Sequence, residues 1–178
     1  MLMPLRENSY PTCEVLLKYF KKHDIKTFVE VGVYYGDSAV YLMQRHKFDK
    51  YYMVDKWESK AFALERFSQE AMNKMYEIVL ESSKNFPEST IIRLPSVEAA
   101  KEFEDNSVDC VYIDASHEQS AVYYDILAWN PKAKKILMGH DYDYGQVSKS
   151  VDRLLSKLNG FSVEYDVKGK GIWILEKK

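Results

Sequence analysis

Between Phe28 and Val40 the chain reads FVEVGVYYGDSAV. Phe28, Val29, Val31 and Val33 are apolar and mostly β-branched, the make-up of a strand buried on both faces. Gly32 and Gly36 break the run, and Asp37 and Ser38 then open a helical apolar pattern through Ala39, Val40, Leu42 and Met43, ending near His46 and Lys47. A strand, a glycine turn and a helix start form the first half of a strand–helix–strand unit, which commits a chain to parallel pairing. The turn lets a ligand approach the backbone, and the helix start offers it N–H groups without intrahelical partners. Glu30 is the anomaly. A carboxylate in a buried strand costs on the order of several kcal/mol unless it is partnered. A cationic or multiply donating ligand would partner it, as would a buried lysine or a backbone cap.

The rest of the chain repeats the unit. Pro11 and Thr12 open a helix to about Lys22, with Cys13, Leu16, Leu17 and Phe20 on one face. Tyr51–Val54 read as a second strand, stopping at Asp55. The longest helical pattern runs from Ala61 to about Lys84 through Leu64, Phe67, Ala71, Met75 and Ile78, and Pro87 and Glu88 break it. Thr90–Leu94 form a third strand, and Ser96 is a candidate N-cap for a short helix with Ala99 inside and Phe103 near its end. Val108–Ile113 form a fourth strand, ending at Asp114. Glu118–Trp129 make a helix with Val122, Ile126 and Trp129 inward. Ile136–Met138 are a fifth strand ending at Gly139, His140 and Asp141, and Gln146–Leu158 a last helix. The tail differs: Phe161, Val163, Tyr165 and Val167 alternate with polar residues, KGKG turns, and Gly171–Leu175 return.

These patterns predict an α/β fold: a doubly wound, mostly parallel seven-stranded sheet closed by a C-terminal antiparallel hairpin. Residues 1–178 read as one domain, with an N-terminal helix (1–26), a strand–helix core (27–158) and a terminal hairpin (159–178). In such sheets ligands bind beyond the carboxyl ends of the strands. Asp55, Asp114 and the His140–Asp141 pair collect there.

A formal net charge of -2 disfavours a protein held to nucleic acid by phosphate contacts. Cys13 and Cys110 sit in helical and apolar patterns and read as free thiols of a reducing compartment. No apolar run suggests a signal peptide or a membrane span, so a cytoplasmic location is expected.

The order and spacing of these motifs resemble a small class I S-adenosylmethionine-dependent methyltransferase, of the compact O-methyltransferase-like group with a strand-end YIDASHE and a later GHDY. The similarity runs from about Thr27 to Leu155. It joins the E-x-G-x-x-x-G of Glu30, Gly32 and Gly36 to Asp55, Ser96 and Asp114. The resemblance implies that Glu30 helps hold the methionine ammonium, directly or through water. Gly32 and Gly36 would shape the turn along which the cofactor passes, Asp55 would bind both ribose hydroxyls, Ser96 and Val97 would lie against adenine, and Asp114 would sit beside the reacting methyl. The chain departs from the pattern twice. Tyr34 stands where many members carry a second glycine, and PKAKK (Pro131–Lys135) replaces a proline–glycine–glycine turn.

Methyl transfer from a sulfonium needs in-line alignment and, for a hydroxyl acceptor, loss of a proton. His117, three residues after Asp114, is the candidate base, with Asp114 beside it; a helix-capping role is the plainer alternative. Asp114, His140 and Asp141 could together hold a divalent cation that acidifies the acceptor hydroxyl, although an acidic turn after a strand is also ordinary loop chemistry. Tyr34, Tyr35, Trp57 and Tyr142 are read as packing, Lys168 and Lys170 as a solvated turn, and the Ala61–Lys84 helix as core rather than lid.

The expected function is S-adenosylmethionine-dependent methylation of a small-molecule hydroxyl. An NAD(P)-dependent oxidoreductase shares the glycine turn and the acid after the second strand. The wider glycine spacing and the terminal hairpin weigh against it. A non-catalytic assembly domain would keep the same fold, and a lone domain could also complete its pocket as a homodimer.

Overall fold

The computed structural model describes residues 10–59, 68–157 and 161–177. Its seven-stranded sheet runs β3-β2-β1-β4-β5-β7-β6. The strands are β1 (Thr27–Val31), β2 (Lys50–Val54), β3 (Ser89–Ile92), β4 (Val108–Ile113), β5 (Ala133–Gly139), β6 (Ser162–Tyr165) and β7 (Gly171–Glu176). The first five pair in parallel. β7 lies antiparallel between β5 and β6, so the terminal hairpin enters the sheet edge in reverse order.

The helices are α1 (Tyr10–Lys22), α2 (Asp37–Met43), α3 (Gln69–Ser83), the one-turn α4 (Ser96–Ala99), α5 (Gln119–Trp129) and α6 (Gly145–Leu155). They divide between the two faces as the pleat dictates. Phe28, Tyr51, Met53, Cys110 and Tyr112 point to one face and pack with Leu16, Phe20, Leu42, Met75 and Val79 of α1, α2 and α3. Their alternates Val29, Val31, Val54, Val111 and Ile113 point to the other and pack with Ala99, Val122, Ile126, Trp129, Val151 and Leu155 of α4, α5 and α6. β1 stands between β2 and β4, so the strand order reverses beside it and leaves a crevice at the carboxyl ends.

Two sequence expectations need adjustment. α2 stops at Met43, a turn earlier than expected. Ser96 is not an N-cap: Pro95 takes that position, and the Ser96 hydroxyl accepts from Trp129 Nε1 at 2.9 Å. α3 begins after Ser68, whose hydroxyl accepts from Ala71 N; the proposed start at Ala61, with Leu64 and Phe67, lies outside the described residues, as does Leu158. Cys13 and Cys110 are both buried free thiols. Among the described residues no helix is long and apolar enough to cross a membrane.

Candidate functional site

The crevice at the strand ends is a cavity of about 1600 Å³ walled by Gly32, Tyr34, Ser38, Asp55, Trp57, Ser96, Val97, Asp114, His117 and His140. Gly32 sets how close the wall can come. It has φ +96°, and a Cβ built there would lie 2.1 Å from the Asp114 carbonyl oxygen. Its N–H donates to Val54 O at 2.9 Å, so it is wedged between the ends of β2 and β4. Gly36, at φ 79°, precedes α2 and faces Val79 rather than the cavity.

Tyr34 adopts the left-handed conformation that a glycine would take without strain, with φ 55°. The surroundings impose it. Asp55 Oδ2 accepts from Val33 N at 3.0 Å and Tyr34 N at 2.9 Å, while Oδ1 accepts from Trp57 N at 2.9 Å. Trp57 Nε1 donates to Tyr34 O at 2.9 Å, and the Trp57 ring packs on Tyr76. Asp55 thus clamps the turn from the end of β2. A carboxylate has about four acceptor sites, so room remains for a ligand hydroxyl on the cavity side.

Glu30 is 1% exposed and lies behind the wall. It shares a face with Phe28 and sits in register with Met53 and Tyr112. Ser38 Oγ donates to Oε1, and Tyr51 OH donates to Oε2 at 2.8 Å. The partner that the sequence demanded is therefore found inside the protein, with Ser38 standing between the carboxylate and the cavity. Burial pushes the Glu30 carboxyl up to about 7, against the two hydrogen bonds.

At the ends of β4 and β5, ligand atoms of Asp114, His140 and Asp141 all lie within 4.8 Å of one another. His140 Nδ1 is 3.3 Å from Asp141 Oδ2 and 3.7 Å from Asp114 Oδ1. His117 Nε2 is 2.8 Å from Asp141 Oδ2 and 3.9 Å from Asp114 Oδ1. Asp141 has φ 53°, which turns its carboxylate back towards both imidazoles. The hydrogen bond with His140 leads the influences that hold Asp141 down at about 2. Asp114 and Asp141 raise His117 against partial burial. His140 is lowered by burial but raised further by Asp141 and Asp114, for a net upward shift. Lys170 is more than turn decoration, since its Nζ reaches Asp143 at 3.3 Å and Asp141 at 3.6 Å.

Two further contributors to the wall are not among the residues expected from the sequence. Thr12, Cys13 and Leu16 of α1 close one side of the cavity, which no local pattern reveals. Asp125 lies beside Ser96 in the wall, 5% exposed, with its carboxyl pushed up to about 6 by burial. Its signal was available: it falls three residues after Val122 and four before Trp129, on the face read as apolar.

The family described as "Methyltransferase domain" matches residues 29–142. The chain belongs to that family and is an S-adenosylmethionine-dependent methyltransferase. A search of curated protein sequences returns no match. Among solved structures, the chain is similar to a protein assigned as a caffeoyl-CoA O-methyltransferase from Staphylococcus aureus (16% identity, TM-score 0.68, 98% of this chain and 86% of that one). It is also similar to an O-methyltransferase from Bacillus cereus solved with SAH (13%, 0.63, 98% and 84%). A spermidine synthase from Thermotoga maritima is alike at 14% identity and TM-score 0.63, covering 96% of this chain and 60% of that one. At these identities the likeness is one of fold, and different names share it. Family membership sets aside the dinucleotide-dependent reading.

Proposed function

We propose that this methyltransferase moves the methyl group of S-adenosylmethionine onto a hydroxyl oxygen of a small molecule, with a divalent cation held by Asp114, His140 and Asp141. The observation that carries the reading is the convergence of ligand atoms of Asp114, His140 and Asp141, all within 4.8 Å of one another, where β4 and β5 end beside the cavity. Two carboxylates facing one another beside an imidazole favour a positive charge between them, a cation or a proton. Two carboxylates and an imidazole fit a cation of intermediate hardness. The bound ion would polarise an acceptor hydroxyl and lower its pKa.

The chain's own groups account for the rest. Gly32 lets the donor lie against the backbone, Asp55 offers its remaining acceptor site to a ribose hydroxyl, and Ser96 and Val97 flank the adenine end. Asp141, ionised, can only accept, so His117 carries its proton on Nε2 and leaves Nδ1 as the basic nitrogen. That nitrogen takes the hydroxyl proton as the oxygen attacks the methyl and the sulfonium leaves as a neutral thioether. The small-molecule acceptor and a cytoplasmic setting complete the reading.

Calorimetry with S-adenosylmethionine, S-adenosylhomocysteine and NAD tests the donor half. Micromolar binding of the first two and none of NAD is expected, and preferential NAD binding would overturn it. Asp55→Ala should weaken donor binding at least about tenfold, the scale of one charge-assisted hydrogen bond. Turnover with hydroxylated acceptors should stop in chelator and return with added divalent ion. Full turnover in excess chelator removes the cation and leaves His117 as the base.

A further inference from the structure

The two nitrogens of His140 face different worlds. Nδ1 looks towards Asp114 and Asp141, while Nε2 lies 3.2 Å from the Thr12 hydroxyl in the first turn of α1. Thr12 Oγ1 in turn donates to Asp166 Oδ2 at 3.0 Å. Asp166, in the turn between β6 and β7, is 8% exposed, and its other oxygen accepts from Lys168 N at 2.8 Å and Lys170 N at 3.0 Å. Burial works against its ionised form, but these bonds and Thr12 outweigh it and hold the carboxyl below its usual range.

Two pulls compete for the hydrogen of a neutral His140: ionised Asp141, 3.3 Å from Nδ1, draws it there, and the line through Thr12 draws it to Nε2. An ionised Asp166 has no proton to give, so the single Thr12 hydroxyl proton goes to it. Thr12 Oγ1 then meets Nε2 with lone pairs only, and a bond between them has Nε2 as its donor. With the Thr12 line in control, a neutral His140 carries its hydrogen on Nε2 and bares the Nδ1 lone pair towards the two carboxylates. That tautomer makes Nδ1 a third acceptor of the cation cluster. In the opposite tautomer Nε2 and Thr12 Oγ1 would face each other as acceptors, and a proton would fill the place of the ion. Metal-ligating histidines commonly donate their other N–H to a carboxylate or carbonyl, which fixes tautomer and ring orientation; here a threonine hydroxyl is interposed.

We propose that Thr12, polarised by Asp166, is a positioning residue that locks His140 in its Nε2–H tautomer and so presents Nδ1 to a divalent cation. The cation part rests on the function proposed above; the tautomer part stands without it. The device joins elements from opposite ends of the chain, since α1 supplies the hydroxyl and the terminal hairpin the carboxylate.

Two readouts test it. Imidazole ¹⁵N shifts of the metal-free protein in alkaline solution, with His140 assigned by comparison with His140→Asn, report the tautomer directly. The unmodified protein should show Nε2–H, Thr12→Val should lose that preference, and Thr12→Ser should restore it. Calorimetric Mn²⁺ affinity should fall by about ten- to hundredfold in Thr12→Val, the usual effect of removing a ligand's outer partner, and recover in Thr12→Ser. Thermal melts confirm that each variant is folded. Retention of the Nε2–H form in Thr12→Val, or an unchanged Mn²⁺ affinity, overturns the inference. If the unmodified protein binds no Mn²⁺, the cation reading falls, while the ¹⁵N shifts still decide the role of Thr12.

Discussion

At the scale of single residues, Glu30 and Gly32 make opposite demands on the same strand. Glu30 titrates near 7 rather than 4.5 because burial disfavours its charge. Its folded pKa is raised, so its stabilising contribution is complete below pH 4.5 and is lost as pH rises through about 7. Glu30→Gln, isosteric with the protonated form, should remove that part of the pH dependence. Across the window the unmodified protein should lose about 2–3 kcal/mol more than the variant by urea unfolding, and parallel profiles would show that Glu30 ionises without penalty. Gly32 tolerates nothing larger, since the clash is with backbone rather than a movable side chain. Gly32→Ala should abolish donor binding and lower the melting temperature; a folded variant with unchanged affinity would contradict the wedge. Both positions stand out in the sequence, one as a charge in an apolar run and one as a glycine at a strand end. Who partners Glu30 did not, because Ser38 is eight residues away and Tyr51 lies on the neighbouring strand.

At the scale of elements, α1 shows which forces fasten a helix to the sheet. It carries the ion pairs Lys18–Glu164 and Lys22–Glu176, each 2.9 Å long, with both lysines more than half exposed. Exposed pairs contribute about 0–1 kcal/mol. Leu16 and Phe20 are fully buried on the same helix, and Phe20 meets Phe28 edge-on at 4.8 Å. Truncating a buried phenylalanine costs about 3–5 kcal/mol. Phe20→Ala should therefore destabilise several times more than Lys18→Ala in denaturant titrations, and equal effects would refute the ranking. α1 was legible as an amphipathic helix because its stripe is local. Its service to the site was not, because the first-turn Thr12 gives no sign that it meets residues 128 and 154 positions away. Ser96 shows the reverse error. A serine after a proline suits an N-cap, but the tertiary fold brings Trp129 to its hydroxyl first.

At the scale of the molecule, donor binding should couple to folding, because the cavity wall is drawn from β1, β2, β4 and the helices between them. Saturation with S-adenosylmethionine at about a hundredfold its Kd should stabilise the protein by about 2.7 kcal/mol. The melting temperature should rise with donor concentration, and the rise should shrink in Asp55→Ala. No shift in the unmodified protein would mean that the donor site is not formed by this fold. His117→Gln should leave the shift intact while slowing turnover by about 10²–10⁴, the usual worth of a positioned base; single-turnover kinetics measure it.

The sequence by itself determined the layered α/β architecture and the strand ends where the polar residues gather. Period-two and period-3.6 patterns are local consequences of backbone geometry, and β4, Val108–Ile113, could be drawn to the residue for that reason. It also marked the turn from Phe28 to Val40, because glycine and buried charge are conspicuous in an apolar strand. Only the tertiary structure decided how β7 inserts between β5 and β6, that Tyr34 is held left-handed by Asp55 and Trp57, and that Glu30 is satisfied from within. It alone placed Thr12 and Asp166 behind His140. These are contacts between segments far apart in the chain, fixed by packing and by the need of each buried polar group for a partner, and no pattern local to either segment records them.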